Sequence, residues 1–230
     1  MAPFGASRAG LMSVAEDDIP DSDVYLHDDW GDNKLQDRED SDTTTHNGVE
    51  GIYRPEWEIF EGSPFVDDAR LTLEAGDAIT NPININLSED LVLEYEVSDI
   101  NIPSSSQAFG VTVFADSKPE ATEVHNIDGN GYAVWLQGDD SGGQIVLFRY
   151  DDGERTEIIE DTSGFPSVPF RVAISRTSSA EWELLVNGDS KGTTTDDSHT
   201  LVEYCSLGVR DDEDVEFATL SEIKWNGGLD

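Results

Sequence analysis

The chain has 230 residues, of which 50 are Asp or Glu and 13 are Lys or Arg, for a formal net charge of −37. No basic stripe exists to bind nucleic acid, no run approaches the roughly 18 apolar residues of a membrane-spanning helix, and 37% hydrophobic and 9% aromatic residues exclude a wholly disordered acidic chain. Self-repulsion at this density opposes compaction in dilute salt and fades as the Debye length falls from about 10 Å at 0.1 M to about 3 Å at 1 M, so the composition reads as adaptation to a very salty medium.

Lysine is scarce (Lys34, Lys118, Lys191 and Lys224) and arginine outnumbers it. A nucleic-acid mimic or a cation buffer is the other reading of the charge. Cys205 is the one cysteine, so no intrachain disulfide can form, and a buried thiol acting as a small hydrophobe is expected. The opening MAPFGASRAGLMS lacks a long apolar stretch, so a secretory signal peptide is not expected.

Residues 1–15 are small, apolar and nearly uncharged, and residues 16–48 are acidic with isolated hydrophobics at no clear period. Too little apolar surface is present there to offset chain entropy. Residues 1–48 are therefore expected to form an extended arm and linker, ordered by docking on a neighbouring subunit. Phe4, Arg8, Leu11, Tyr25 and Trp30 are its candidate anchors. A disordered tail is the alternative.

From residue 49 the texture changes to short β-type runs, read as one domain over 49–230. In LVLEYEV, alternation puts Leu91, Leu93, Tyr95 and Val97 on one face and Val92, Glu94 and Glu96 on the other. FGVTVFAD puts Phe109, Val111 and Val113 together, with Thr112 and Phe114 opposite. GYAVWLQG puts Tyr132, Val134 and Leu136 together, and Ala133, Trp135 and Gln137 together. QIVLFRY, FRVAISR, WELLVNG, SLGVR and ATLSEIKW follow. Asp128-Gly129, Gly142-Gly143, Asp152-Gly153 and Asn187-Gly188 are turn signals between the runs. No window holds a 3.6-residue period, so helix is expected to be minor. Many strands with regular turns predict an all-β antiparallel sandwich or barrel.

The succession GYAVWLQGDDSGGQIVLFRYDDG, FRVAISRTSSAEWELLVNGDSKG and LSEIKWNG resembles the concanavalin A-like lectin/glucanase jelly roll, in its laminin-G-like branch. WEIFEG at 57–62 would be an early strand, and the resemblance covers roughly residues 50–230. It implies a jelly-roll β-sandwich whose concave sheet and rim loops bind glycans. It also allows calcium through loop carboxylates and carbonyls, with Asp128 and Asn130 as candidates; no other cofactor is implied. The opening FGASRAGLMS resembles the start of structural proteins from tailed viruses of halophilic archaea. That implies a virion location, other virion proteins as partners of the arm, and a symmetric homo-oligomer. A haloarchaeal cytoplasmic location is the alternative.

Gly188-Asp189-Ser190-Lys191-Gly192 matches G-x-S-x-G, with Asp196 or Asp197 and His199 downstream. A nucleophile elbow needs a strand-to-helix turn, whereas this segment sits between two β runs, so a hairpin is expected and no catalytic set is assigned. Related glucanases carry E-x-D-x-E on one strand. Glu94-Tyr95-Glu96 has the i, i+2 step but lacks the third acid, and the acids of 211–216 are out of pattern. Asn126–Gly131 begins with Asn and has Gln137 at the twelfth position, which excludes an EF-hand. His27, His46, His125 and His199 share no ligand spacing. Aromatic platforms are the remaining signal. A sugar stacks on an aromatic while amides fix its hydroxyls, which makes Trp135 and Gln137, with Thr112 and Phe114, the candidate ligand residues; a core role for Trp135 is the alternative. The expected function is non-enzymatic: a virion surface protein displaying a jelly roll for host-surface or glycan recognition. A free-standing glycan-binding module and a glycoside hydrolase of the same fold are the alternatives.

Overall fold

The computed structural model describes residues 24–37, 42–46, 49–53, 55–86, 90–102, 108–116, 129–138, 142–210 and 217–227. No helix occurs among them. In chain order the strands are β1 (Val24–Asp28), β2 (Asp42–His46), β3 (Val49–Tyr53), β4 (Glu58–Glu61), β5 (Phe65–Asp67), β6 (Arg70–Glu74), β7 (Ala78–Asn86), β8 (Leu91–Asn101) and β9 (Ala108–Ala115). There follow β10 (Gly131–Gln137), β11 (Gln144–Asp151), β12 (Glu154–Asp161), β13 (Phe170–Arg176), β14 (Glu181–Val186), β15 (Asp189–Thr195), β16 (Leu201–Val209) and β17 (Phe217–Gly227).

Seven strands make one sheet in the order β12-β11-β10-β9-β16-β7-β4. Ten make the other, along the path β15-β14-β13-β8-β17-β1-β3-β2 with β6 and β5 branching from β17. Pairing is antiparallel throughout except between β1 and β3. The two sheets enclose one apolar core, giving the all-β sandwich that the strand count and turn spacing predict and the jelly roll that the resemblance implies.

Side-chain alternation builds that core. Leu91, Leu93, Tyr95 and Val97 are buried, while Val92, Glu94 and Glu96 between them are half-exposed. Tyr132, Val134 and Leu136 enter the same core from β10, and Cys205, Leu207 and Val209 from β16. Cys205 is free and fully buried, and burial pushes its thiol up to about 12. Two turns set the hairpin registers. Asp152-Gly153 (φ 49° and 83°) and Asn187-Gly188 (φ 50° and 83°) take left-handed conformations at both central positions, the type I′ geometry that matches strand twist. They join Asp151 to Glu154 and Val186 to Asp189 as directly paired residues.

The N-terminal boundary differs from the expectation. β1 pairs with β17, with Leu26 opposite Trp225, His27 opposite Lys224 and Asp28 opposite Ile223. Leu26 and Trp30 are fully buried, and Leu35 is 7% exposed. Asp28 is buried as well. Its Oδ1 accepts the Trp30 backbone N–H at 2.9 Å, and its Oδ2 accepts the Trp57 indole N–H at 2.7 Å. Residues 24–37 therefore belong to the sandwich, and Trp30 is a core residue rather than an anchor. The cause is long-range: these hydrophobics have no period of their own because strands distant in sequence supply their partners. Phe4, Arg8 and Leu11 lie outside the described residues, as does the side chain of Tyr25.

Candidate functional site

The seven-stranded sheet carries a second apolar cluster on the face turned away from the core. Ala133 and Trp135 of β10 join Ala108 and Ala115 of β9 and Val146, Phe148 and Tyr150 of β11, with Tyr204 packed at its margin. Antiparallel register makes this a patch, because Trp135 stands opposite Val146 and Ala133 opposite Phe148. The Trp135 and Phe148 rings lie 4.8 Å apart at 56°. Over both lies Arg155 of β12, its guanidinium carbon 4.5 Å from the Trp135 centroid and 4.8 Å from that of Phe148. This is a cation–π arrangement with two ring faces. The type I′ turn places Arg155 there by pairing it with Tyr150. Burial pushes the Tyr150 hydroxyl well above its ordinary value, and the charge and hydrogen bond of Arg155 offset part of the effect. At the end of the same strand pair, the Gln144 amide donates to Gln137 Oε1 at 3.1 Å.

Trp135 thus occupies the face that alternation assigns it, but at 2% exposure it is a floor and not an open platform. Gln137 is half-exposed beside it. Between Thr112 and Phe114 the backbone register is interrupted. The β9–β10 register slips by one residue between Tyr132 and Ala133, so Phe114 pairs with Tyr132 while Thr112 pairs with Ala133. Such a bulge breaks period-2 alternation, and the two residues no longer occupy equivalent register positions. Their side chains fall outside the described residues. Phe148 and Arg155 escaped the sequence reading; their signal was the Asp152-Gly153 turn, whose two-residue geometry fixes Arg155 beside the Trp135 face.

The inner end of the sandwich holds a polar knot. Asp196, 8% exposed, accepts the Tyr132 hydroxyl at 2.7 Å, Arg149 Nη1 at 2.5 Å and the Ser198 backbone N–H at 3.0 Å. Its backbone carbonyl accepts the Trp182 indole N–H at 2.9 Å. Burial alone would raise the Asp196 carboxyl; hydrogen bonds from Tyr132, Ser198 and Arg149 outweigh it and hold the group below its usual range. Arg149 also donates to Asp151 at 2.8 Å, and His199 Nε2 lies 2.9 Å from the other Asp151 oxygen. These groups join the two sheets. Ser190 sits in β15, exposed and paired with Leu185, in a hairpin as expected.

Of the two calcium candidates, Asn130 is described. The Asn130 amide donates to Asp116 Oδ2 at 2.9 Å, and its oxygen accepts the Asp152 N–H at 3.1 Å. The side chain is thereby committed to stapling the loops around β10. Asp128 lies outside the described residues. Among the described residues, no group of three His, Cys, Asp or Glu side chains is placed to hold a metal ion.

On the outer face of the ten-stranded sheet, Glu94 and Glu96 share one base. Arg171 donates to Glu94 at 3.1 Å and to Glu96 at 2.9 Å, and the Ser221 hydroxyl donates to Glu96 at 2.6 Å. Glu222, across from Glu96 on β17, meets His27 Nε2 at 2.9 Å. Burial raises the Glu94 carboxyl, Glu222 adds to this and Arg171 opposes it, whereas the His27 hydrogen bond lowers Glu222. Each carboxylate is already paired, which suits an ion-pair ladder better than an acid–nucleophile couple.

No family model matches the chain, and no curated protein matches it. Solved structures do. The carbohydrate recognition domain of Emp46p in its potassium-bound form is similar with a TM-score of 0.62 at 11% identity, over 76% of this chain and 89% of that one. The legume lectin-like domain from Entamoeba histolytica is similar at 0.57 and 10% identity, over 75% of this chain and 90% of that one. The exoplasmic/lumenal domain of VIP36 in a Ca2+- and mannose-bound form is similar at 0.56 and 10% identity, over 76% and 84%. These likenesses establish the fold as a legume-lectin-like, concanavalin A-like sandwich.

Proposed function

We propose that the chain is a non-enzymatic glycan-recognition module that binds through the outer face of the seven-stranded sheet. The observation that carries this reading is the Trp135–Phe148–Arg155 stack, an aromatic floor with an exposed donor on a sheet face turned away from the core. Structures of the same fold that are named for carbohydrate recognition support the ligand class. The paired state of Glu94, Glu96 and Glu222 disfavours the glycoside hydrolase alternative. The finer setting in this reading is the surface of a particle of a virus of halophilic archaea. There the protein is a symmetric homo-oligomer, attached to other virion proteins by residues 1–23 with Phe4, Arg8 and Leu11 as anchors. The charge of −37 and the opening FGASRAGLMS support that setting. Calcium, if used, would draw on Asp128 and its neighbours.

A glycan array probed in molar KCl, with and without calcium, tests the ligand class: selective retention of some oligosaccharides is expected, and none above background rejects the reading. For the setting, a chain beginning at residue 24 should fold yet fail to join its assembly. Normal assembly of that chain, or a strict monomer of the full chain by light scattering in molar salt, rejects the anchored oligomer.

A further inference from the structure

We propose that Arg155 makes this a reader of acidic sugars, its guanidinium taking the carboxylate of a uronic acid unit in an oligosaccharide. The inference rests on the glycan-recognition reading and names the ligand class for that same face. Four of the other eight lysines and arginines with described side chains are spent on acids or buried. Arg149 holds Asp151 and Asp196, Arg171 holds Glu94 and Glu96, Lys191 holds Asp161 at 3.1 Å, and Arg176 is buried against Trp182. Arg155 is different. It is exposed, and among the described residues it forms no ion pair, although Glu154 and Glu157 flank it. Two ring faces and the Tyr150 hydroxyl beside it hold it instead. Ring faces and a neutral hydroxyl fix the plane of a guanidinium without neutralising it, and the N–H groups that do not meet Tyr150 stay available for a planar, bidentate carboxylate.

The burial of Trp135 at 2% and Phe148 at 5% keeps a sugar off those rings, so a ligand meets the guanidinium first. β12 is the edge strand of its sheet; β15 packs beside its far end at Ile159 and Asp161, and Arg155, near its start, is exposed to solvent. The net charge decides the conditions. In dilute salt the field of −37 repels an anion before contact. In molar salt the Debye length is about 3 Å, so the repulsion is screened while the contact pair is retained. Uronate affinity should therefore rise with salt, the reverse of ordinary ion pairing.

The test is calorimetric titration of the full chain in molar KCl with oligogalacturonate, its neutral methyl ester and a sulfated galactan of equal length. The acid is expected to bind roughly tenfold more tightly than the ester. Arg155→Gln should abolish that preference, so that the variant binds acid and ester equally, and Arg155→Lys, which keeps the charge but not the fork, should lose most of it. Near-UV circular dichroism establishes that both variants are folded. Equal affinity for acid and ester, or a preference that survives Arg155→Gln, overturns the proposal and leaves glycan recognition standing. Tighter binding of the sulfated galactan overturns the carboxylate assignment. No binding of any of the three, nor of the array sugars, overturns both readings.

Discussion

Asp196 shows how one carboxylate can hold two sheets together in a chain where acids are the background. It takes hydrogen bonds from a core tyrosine on β10, an arginine on β11 and its own loop, and its carbonyl meets Trp182 of β14. Replacing it by alanine leaves the Tyr132 hydroxyl and part of the Arg149 charge without an acceptor. The expected loss is about 3 kcal/mol, seen as a lower urea midpoint in molar salt. Its pH dependence has a definite sign. The folded value lies below the ordinary carboxylate value, so the contribution is complete above the unfolded value and disappears as pH falls through the folded one. Wild type should therefore lose stability on strong acidification, and Asp196→Ala should lose less across that window. Parallel acid transitions in the two proteins would show that Asp196 is not the titrating group.

β1 decides how far the folded unit extends at the element scale. A chain beginning at residue 24 keeps Leu26, Trp30, Leu35 and the Asp28–Trp57 bond, and it should melt with the full chain. A chain beginning at residue 49 removes all of these and deprives β17 of its β1 partner. Trp30→Ala alone should cost about 3–5 kcal/mol, as expected for a large side chain lost from a core. Thermal melts followed by tryptophan fluorescence check both, and equal melting temperatures for the two truncations would refute the assignment of β1 to the sandwich. Alternation was the legible signal: β8 and β10 bury the residues that period 2 assigns to the core. β1 was illegible because its partners lie far along the chain. The register slip between Thr112 and Phe114 was illegible because a bulge carries no composition signal. Arg155 lay within reach, since the Asp152-Gly153 turn and strict pairing place it over the face that Trp135 marks.

For the whole molecule, the charge of −37 sets two opposing pH trends that salt should separate. Repulsion among ionised carboxylates favours their protonation in the folded state. Glu94, raised by burial and by Glu222, has the corresponding sign: stability grows as pH falls through its folded value. Asp196 and Glu222, both lowered, carry the opposite sign. In dilute salt the repulsive term is long-range and should dominate near neutrality, so the urea midpoint should rise on acidification to about pH 5 and fall below it. In molar salt the repulsive term shrinks, the midpoint near neutrality rises, and only the acid fall remains. Potassium chloride and choline chloride at equal ionic strength should act alike, because screening does not distinguish monovalent cations. Stabilisation by potassium alone would mean that bound cations, rather than screening, offset the charge, and a midpoint independent of salt would remove the high-salt reading of the composition.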